Sequence, residues 1–326
     1  MIDRMIRLPT LDEIESAATI VYRFMPPTPQ YRWPQLERRA GRTLWVKHEN
    51  HTPVGAFKVR GGLVYFDELK RAPHVPERVI AATRGNHGQS VAFAANHAGI
   101  AATIVVPKGN SSEKNAAMRA LGAELVEYGD DFQESLEYAI ARAREDGLHF
   151  VPSFHPALIR GAATLSLEFL RGAAPLRAVY VPIGLGSGIC GVLAAREALG
   201  LQTEVVAVVA ESAPAIALSL ERDELTSAPA MTMADGMACR TPNAEAFDVL
   251  RRHRPRVVIV SDAQIADAMR MYFTDTHNLV EGAGAASLAA ALTDPRRDRY
   301  DSVGIVLSGS NVDAEIYEPI LRAERV

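Results

Sequence analysis

Lys58 follows Phe57 in the run Lys47-His48-Glu49-Asn50-His51-Thr52-Pro53-Val54-Gly55-Ala56-Phe57-Lys58-Val59-Arg60-Gly61-Gly62, where a strand-like apolar stretch ends in a Pro/Gly turn. A lysine enclosed by nonpolar groups gives up its proton more readily, because burial disfavours the ammonium form. The neutral amine is a nucleophile for aldehydes, the group needed to hold a carbonyl cofactor as a Schiff base. The plainer reading is a solvated lysine beside a turn, and two distant segments bear on the choice.

The first is Gly184-Leu185-Gly186-Ser187-Gly188, preceded by a strand-like Ala178 to Ile183 and followed by a helix through Leu193, Ala194, Ala195 and Ala198. Glycines at such a turn let backbone N–H groups converge on an open helix N-terminus, which is a phosphate site. The same stretch, Gly186 to Gly191, satisfies the dinucleotide pattern G-x-G-x-x-G, and Glu211 ends the next strand where a ribose-binding acid belongs. A nicotinamide-dependent dehydrogenase is therefore a second reading, although it gives the Lys58 segment no role. No Walker lysine follows the glycines, which argues against an NTPase.

The second is Thr83-Arg84-Gly85-Asn86-His87-Gly88-Gln89-Ser90, which follows a strand and opens a helix over Val91 to His97. Free amides at that helix start, with the Thr83 hydroxyl, form a receptor for a carboxylate. The Asn86 amide can hold a phenolic oxygen, with local N-capping as the alternative. Late in the chain, Leu307-Ser308-Gly309-Ser310-Asn311 ends a strand with a hydroxyl that can meet a pyridine nitrogen. An amine for an aldehyde, an amide cradle for a phosphate and an anion site for a carboxylate are together what pyridoxal 5'-phosphate and an amino acid require.

Short Val/Ile runs that alternate with alanine-rich amphipathic stretches must position these groups. Strands are expected at 78–83, 102–106, 124–127, 178–181, 204–209, 256–260 and 303–307. Helices are expected at 89–97, 112–121 and 132–145, each stopped by a glycine. Continuous apolar strands alternating with helices predict an α/β protein with two doubly wound parallel sheets. Residues 78–153 form a compact run flanked by Pro-containing turns and are expected to be a small mobile domain. It is inserted in a larger one made of 1–77 and 154–326, with the chemistry in the cleft between them.

The bulk composition narrows the function classes. A net charge of -4 gives no footprint for nucleic acid or an acidic membrane surface. Cys190 and Cys239 match no metal or redox spacing and fit a reducing cytosol. Met1 to Thr10, charged at Asp3, Arg4 and Arg7, has no signal-peptide core, and no stretch reaches membrane-span length. A cytoplasmic protein is expected.

Taken in order, the blocks resemble the fold-type II pyridoxal-phosphate enzymes (tryptophan synthase β-like fold) of the serine/threonine dehydratase and serine racemase group. They are Gly-Ala-Phe-Lys-Val-Arg-Gly, Gly-Asn-His, the glycine loop, Ala234-Asp235-Gly236, Glu281-Gly282-Ala283-Gly284-Ala285 and Ser308-Gly309-Ser310-Asn311. The resemblance implies that Lys58 binds the cofactor aldehyde with Phe57 beside it, Asn86 holds the ring hydroxyl, and Ser308 meets the ring nitrogen. It implies that Gly184, Leu185, Gly186, Ser187 and Gly188 hold the phosphate, and that Thr83, Arg84, Gly85, Asn86 and His87 bind the substrate carboxylate. It also suggests a homodimer.

Ala56 stands where the group usually has serine, and Gly184-Leu185-Gly186-Ser187 replaces a run of four glycines. Arg84 occupies the position where racemases carry a serine as second acid/base. Arginine stays protonated and cannot be that base, so racemisation is disfavoured; Arg84 meets either a protein carboxylate or a second anionic group on the substrate. Some relatives bind a divalent cation after the strand that follows the phosphate loop. Glu211 matches, but Ala215 and Ala217 stand at the next ligand spacings, so no metal is expected. The sequence ends at Val326, short of the regulatory domain of biosynthetic threonine dehydratases, and isoleucine feedback is not expected.

The activity implied is α,β-elimination of water from a β-hydroxy amino acid, as in a threonine or serine dehydratase (ammonia-lyase). Lys58 takes the α-proton, and Lys58 or the phosphate protonates the leaving hydroxide. A bulkier or acidic β-hydroxy amino acid, β-replacement, and a non-catalytic cofactor-binding sensor remain alternatives.

Overall fold

The computed structural model describes residues 6–173 and 175–322; the charges at Asp3 and Arg4 and the end at Val326 lie outside them. Ten strands are present among these residues: β1 Gln30–Arg32, β2 Thr43–His48, β3 Arg78–Ala82, β4 Ala101–Val106, β5 Glu124–Glu127, β6 His149–Phe150, β7 Ala178–Pro182, β8 Glu204–Ala210, β9 Arg256–Val260 and β10 Ser302–Leu307. The helices are α1 Leu11–Val21, α2 Pro34–Ala40, α3 Lys58–Lys70, α4 Asn86–Ala98, α5 Ser112–Ala120, α6 Phe132–Glu145 and α7 Pro156–Gly172. They continue with α8 Ser187–Ala198, α9 Ala215–Arg222, α10 Ala244–His253, α11 Asp262–Thr276, α12 Gly282–Thr293 and α13 Ala314–Arg322.

The strands form two sheets. The larger runs β1-β2-β10-β7-β8-β9 and the smaller β5-β4-β3-β6. All pairings are parallel except β1 with β2, where Gln30 faces Lys47 in an antiparallel edge that the alternation of apolar runs does not announce. Each sheet is covered on both faces. One face of the large sheet packs Leu44, Val46 and Tyr180 against Met269, Tyr272 and Leu288. The other packs Val179, Val181 and Val205 against Ile189, Leu193 and Leu250. The small sheet is closed by α4 and α3 on one side and by α6 on the other, and the α3 side also takes in Ile20 and Val21 of α1.

This topology aligns the segments singled out above. β2, β10 and β7 are neighbours in the large sheet, so the Lys58 segment, Ser308 and the glycine loop leave adjacent carboxyl ends. In doubly wound sheets that edge is where ligands bind. The Thr83 segment leaves β3, an inner strand of the small sheet, across the cleft. No helix among the described residues is long and apolar enough to cross a membrane.

Helix α3 is seated by a buried ion cluster. The Arg60 guanidinium is fully buried between two carboxylates, with Nε donating to Glu49 Oε2 at 2.7 Å and Nη1 to Glu168 Oε1 at 2.6 Å. Its remaining hydrogens reach Thr164 Oγ1 at 2.9 Å and Thr28 Oγ1 at 3.2 Å. Burial pushes the Glu168 carboxyl up, but Arg60 and then Lys47 reverse this and hold it below its ordinary value. A buried pair with every donor used is tolerated, whereas removing one partner strands the other charge. Arg60→Met should therefore cost roughly 3–5 kcal/mol of stability, read from urea unfolding. A loss under about 1 kcal/mol, the worth of a surface pair, would show that the cluster does not seat α3.

Candidate active site

A cavity of about 640 Å³ opens between the two sheets, and it gathers the residues that the sequence assigned to the pyridoxal cofactor and the substrate: Phe57 and Lys58, the segment 83–87, the loop 184–188, and Ser308. Lys58 opens α3 on the cavity wall. Its carbonyl accepts from Ser90 Oγ at 2.7 Å, and the amide of Phe57 donates to Ser308 O at 3.0 Å, which ties the turn before α3 to the end of β10. The ammonium donates to Ser187 Oγ at 3.2 Å and lies 4.9 Å from the centre of the Phe57 ring. Desolvation pushes Lys58 below the ordinary lysine range, and the opposing pull of Cys239 and Glu281 does not restore it. The amine is thus easier to obtain neutral than a surface lysine.

The glycine loop needs its glycines for two different reasons. Gly186 is the N-cap of α8 at φ +105°, a left-handed conformation that side chains avoid. Gly184 lies so close to Gly236 O that a Cβ would stand 2.2 Å from it. The loop and the first turn of α8 line the cavity, where a helix start leaves amides unpaired for an anion. Gly191, the last glycine of the dinucleotide pattern, faces α7 instead, where a Cβ would meet Ala163 N at 2.8 Å. Glu211 is exposed and outside the cavity, so the proposed ribose-binding acid does not face the glycine loop. The nicotinamide reading thus loses its ribose-binding acid in this cavity. No cluster of three or more metal-ligating side chains occurs among the described residues.

Across the cleft, α4 begins at Asn86, three residues before the helix 89–97 expected from the sequence. Thr83 Oγ1 accepts from the amides of Gly85 at 2.9 Å and Gly88 at 3.2 Å, so its own hydrogen is the part left for a ligand. The amides of Asn86 and His87 lie in the first turn, where a helix leaves N–H groups unpaired. Asn86 is not the cap; Gly85 holds that position. The Asn86 side chain is fixed by a chain of bonds whose direction can be assigned. Asn311 Nδ2 donates to the carbonyl of Val54 at 2.8 Å and also to Asn86 Oδ1 at 2.8 Å. Asn86 Nδ2 is then the donor to Glu281 Oε1, at 2.7 Å, with one N–H to spare.

Lys114, Asp235 and Glu281 line the cavity as well, with no site role assigned to them from the sequence. Lys114, near the start of α5, is buried and pairs with Asp235 at the edge of the cavity. Glu281 is 2% exposed, and its Oε2 has no hydrogen-bond partner. Burial pushes its carboxyl up to about 7, against the pull of Lys114. His87 is buried with Nε2 unpaired and is pushed down to about 3, so it is neutral. Arg84 lines the cavity, exposed, and forms no ion pair among the described residues. Glu281 and Asp235 stood in the blocks that carry the family resemblance, but only the closed cleft shows what they face.

Comparison with known proteins agrees with this geometry. The family profile described as pyridoxal-phosphate dependent enzyme matches residues 21–309. An L-threonine ammonia-lyase of Geobacter sulfurreducens is 34% identical over 86% of this chain and 70% of that protein. The crystal structure of a threonine deaminase from T.th. superposes with a TM-score of 0.86 at 32% identity, covering 94% of this chain and 99% of that one. Maize serine racemase superposes with a TM-score of 0.88 at 27% identity, covering 96% and 97%.

The Glu281 carboxyl also sets a pH dependence. Its folded pKa, about 7, lies above the ordinary value of 4.5, so the folded state keeps a proton that the unfolded chain releases. The resulting penalty is absent below the lower value, grows as pH rises between the two, and is complete above the higher. Glu281→Gln should therefore gain stability relative to the parent as pH rises through that window, by roughly 2–3 kcal/mol at the top. Denaturant midpoints at the two ends of the window measure this, and an equal difference at both would contradict it.

Proposed function

This chain belongs to the pyridoxal-phosphate-dependent enzyme family, and from that premise we propose that it eliminates water from a β-hydroxy amino acid, as a threonine or serine dehydratase (ammonia-lyase) does. The enamine left by elimination is released and hydrolyses to a 2-oxo acid and ammonia. The observation that carries the reading is the placement of the desolvated Lys58 in one cavity with an anion cradle on each side, at the starts of α8 and α4.

The cavity suits the cofactor. Lys58 would hold the aldehyde carbon, the amides from Gly184 to Gly188 the phosphate, the spare N–H of Asn86 the ring hydroxyl, and Ser308 the ring nitrogen. Gly184 is consistent with this, since a Cβ has no room where its backbone meets Gly236. Bound there, pyridoxal 5'-phosphate supplies an electron sink for the pair left on the α-carbon when the proton departs.

The remaining work falls to side chains and backbone of this chain. The amides of Asn86 and His87 and the Thr83 hydroxyl hold the substrate carboxylate, which fixes the α-carbon relative to Lys58. The Lys58 amine takes the α-proton at Nζ and passes it to the departing hydroxyl, so that water rather than hydroxide leaves. A neutral serine at position 308 leaves the ring nitrogen without a charged partner, which favours prompt loss of the β-hydroxyl over a long-lived carbanion. Arg84 cannot accept a proton, so racemisation is not expected. Because Arg84 has no ion pair among the described residues, a second reading has it meet a second carboxylate on an acidic β-hydroxy amino acid. Residues 78–153 are read as the small mobile unit that closes over the substrate, and the protein as a cytoplasmic homodimer.

Lys58→Ala should abolish ammonia release while cooperative unfolding persists; release at the parent rate would refute the assignment. The same assay run over threonine, serine and 3-hydroxyaspartate in both configurations separates the two substrate readings. Under the second, Arg84→Gln should weaken turnover of hydroxyaspartate at least tenfold more than that of threonine, the ratio that about 1.4 kcal/mol of lost ion pairing gives.

A further inference from the structure

Among the described residues, the Glu281 carboxyl is the one buried acid on the cavity wall that the mechanism above leaves without a task. It is held on one side only. Oε1 accepts from Asn86 Nδ2 at 2.7 Å, while Oε2 is buried with no partner. Its place in the fold is specific: it precedes α12 and abuts Gly309, where a Cβ would stand 2.4 Å from Oε1. It therefore sits between Asn86 and the Ser308 segment, along the edge of the cavity where the ring hydroxyl and ring nitrogen of the cofactor would lie. A buried polar atom left unsatisfied costs free energy unless something else fills its bonding capacity.

We propose that Glu281 joins the cofactor complex as a neutral acid, its Oε1 accepting from Asn86 and its Oε2–H donating to the ring oxygen that the same Asn86 amide faces. This rests on the reading of the cavity as a pyridoxal-phosphate site and adds a proton to it: cofactor binding is linked to protonation of Glu281. An ionised carboxylate beside an ionised ring oxygen would be two like charges in one dry site, whereas an O–H donor there forms a charge-assisted bond.

The charged groups facing Glu281 come from three elements. Lys114 on α5 favours ionisation, but it is already engaged by Asp235 from the turn 235–237, which opposes ionisation. Lys58 on α3 favours it through its ammonium charge. The cofactor would bring an ionised ring oxygen next to Glu281, and that like charge favours the protonated carboxyl. The Asn86 amide on α4 is neutral and serves either form.

The test is the equilibrium binding of pyridoxal 5'-phosphate to the apo-protein, followed by the absorbance of the bound cofactor from about pH 6 to about pH 9, a range that brackets a raised carboxyl. Glu281→Gln is the matched variant, because its amide keeps an acceptor for Asn86 and a donor in place of Oε2–H but cannot titrate. The ratio of parent to variant Kd should rise with pH, approaching tenfold per unit once Glu281 would otherwise be ionised. An analogue lacking the ring hydroxyl, 3-deoxypyridoxal 5'-phosphate, should show no such divergence. Made on the parent alone, the analogue comparison reads the same proton linkage without any variant. Parallel pH profiles for the parent and the Gln variant, or a divergence that persists with the analogue, would overturn the role of Glu281 while leaving the cofactor site intact. Absence of saturable cofactor absorbance in the parent would instead overturn the site and this role together.

Discussion

Arg60 fixes the first turn of α3 by giving its guanidinium to two buried carboxylates from separate parts of the chain, Glu49 after β2 and Glu168 on α7. Lys58 stands two residues earlier on the same helix, so the cluster that neutralises Arg60 also determines where the amine points. The helix could not be set by propensity alone, since Gly61 and Gly62 weaken it from within. What replaces propensity is tertiary: α4 bonds the Lys58 carbonyl through Ser90, and α7 brings Glu168 and Thr164. The cluster takes the compensated charge, and the neighbouring cavity can then leave its own amine under-solvated.

The cavity is built by topology more than by any one residue. Three adjacent parallel strands deliver Lys58, Ser308 and the glycine loop to one edge, and an inner strand of the second sheet delivers the segment 83–87 to the opposing edge. Charges inside are arranged so that fixed cations have named counterparts, as Lys114 has in Asp235. The groups expected to exchange protons or meet ligand, Lys58, Glu281 and Arg84, are those without a full set of partners. This division separates structural charge from chemical charge in the site.

Much of this is legible in the sequence because the signals are local. Strands β5 and β9 and helix α6 begin and end where the apolar runs and glycine stops put them. The site motifs sit at strand ends and helix starts, where spacing alone implies exposed amides. Helix α4 starts earlier than its apolar period suggests because Thr83 caps it from upstream and Gly85 takes the turn. The edge strand β1 escapes notice because it is short and mostly exposed, with no apolar alternation to mark it. The Asn311–Asn86–Glu281 chain cannot be read in advance, since its members come from three distant segments and meet only when the two sheets close on each other. Capping is the local expectation for Asn86, and the long-range bonds displace it.

One amine, Lys58, is held to carry the cofactor. Borohydride reduction of the cofactor-loaded protein, followed by proteolysis and mass mapping, tests this directly. The expected result is a phosphopyridoxyl adduct confined to the peptide that contains Lys58. An adduct on Lys47, Lys108 or Lys114 instead, or no adduct on a protein that holds the cofactor, would contradict it.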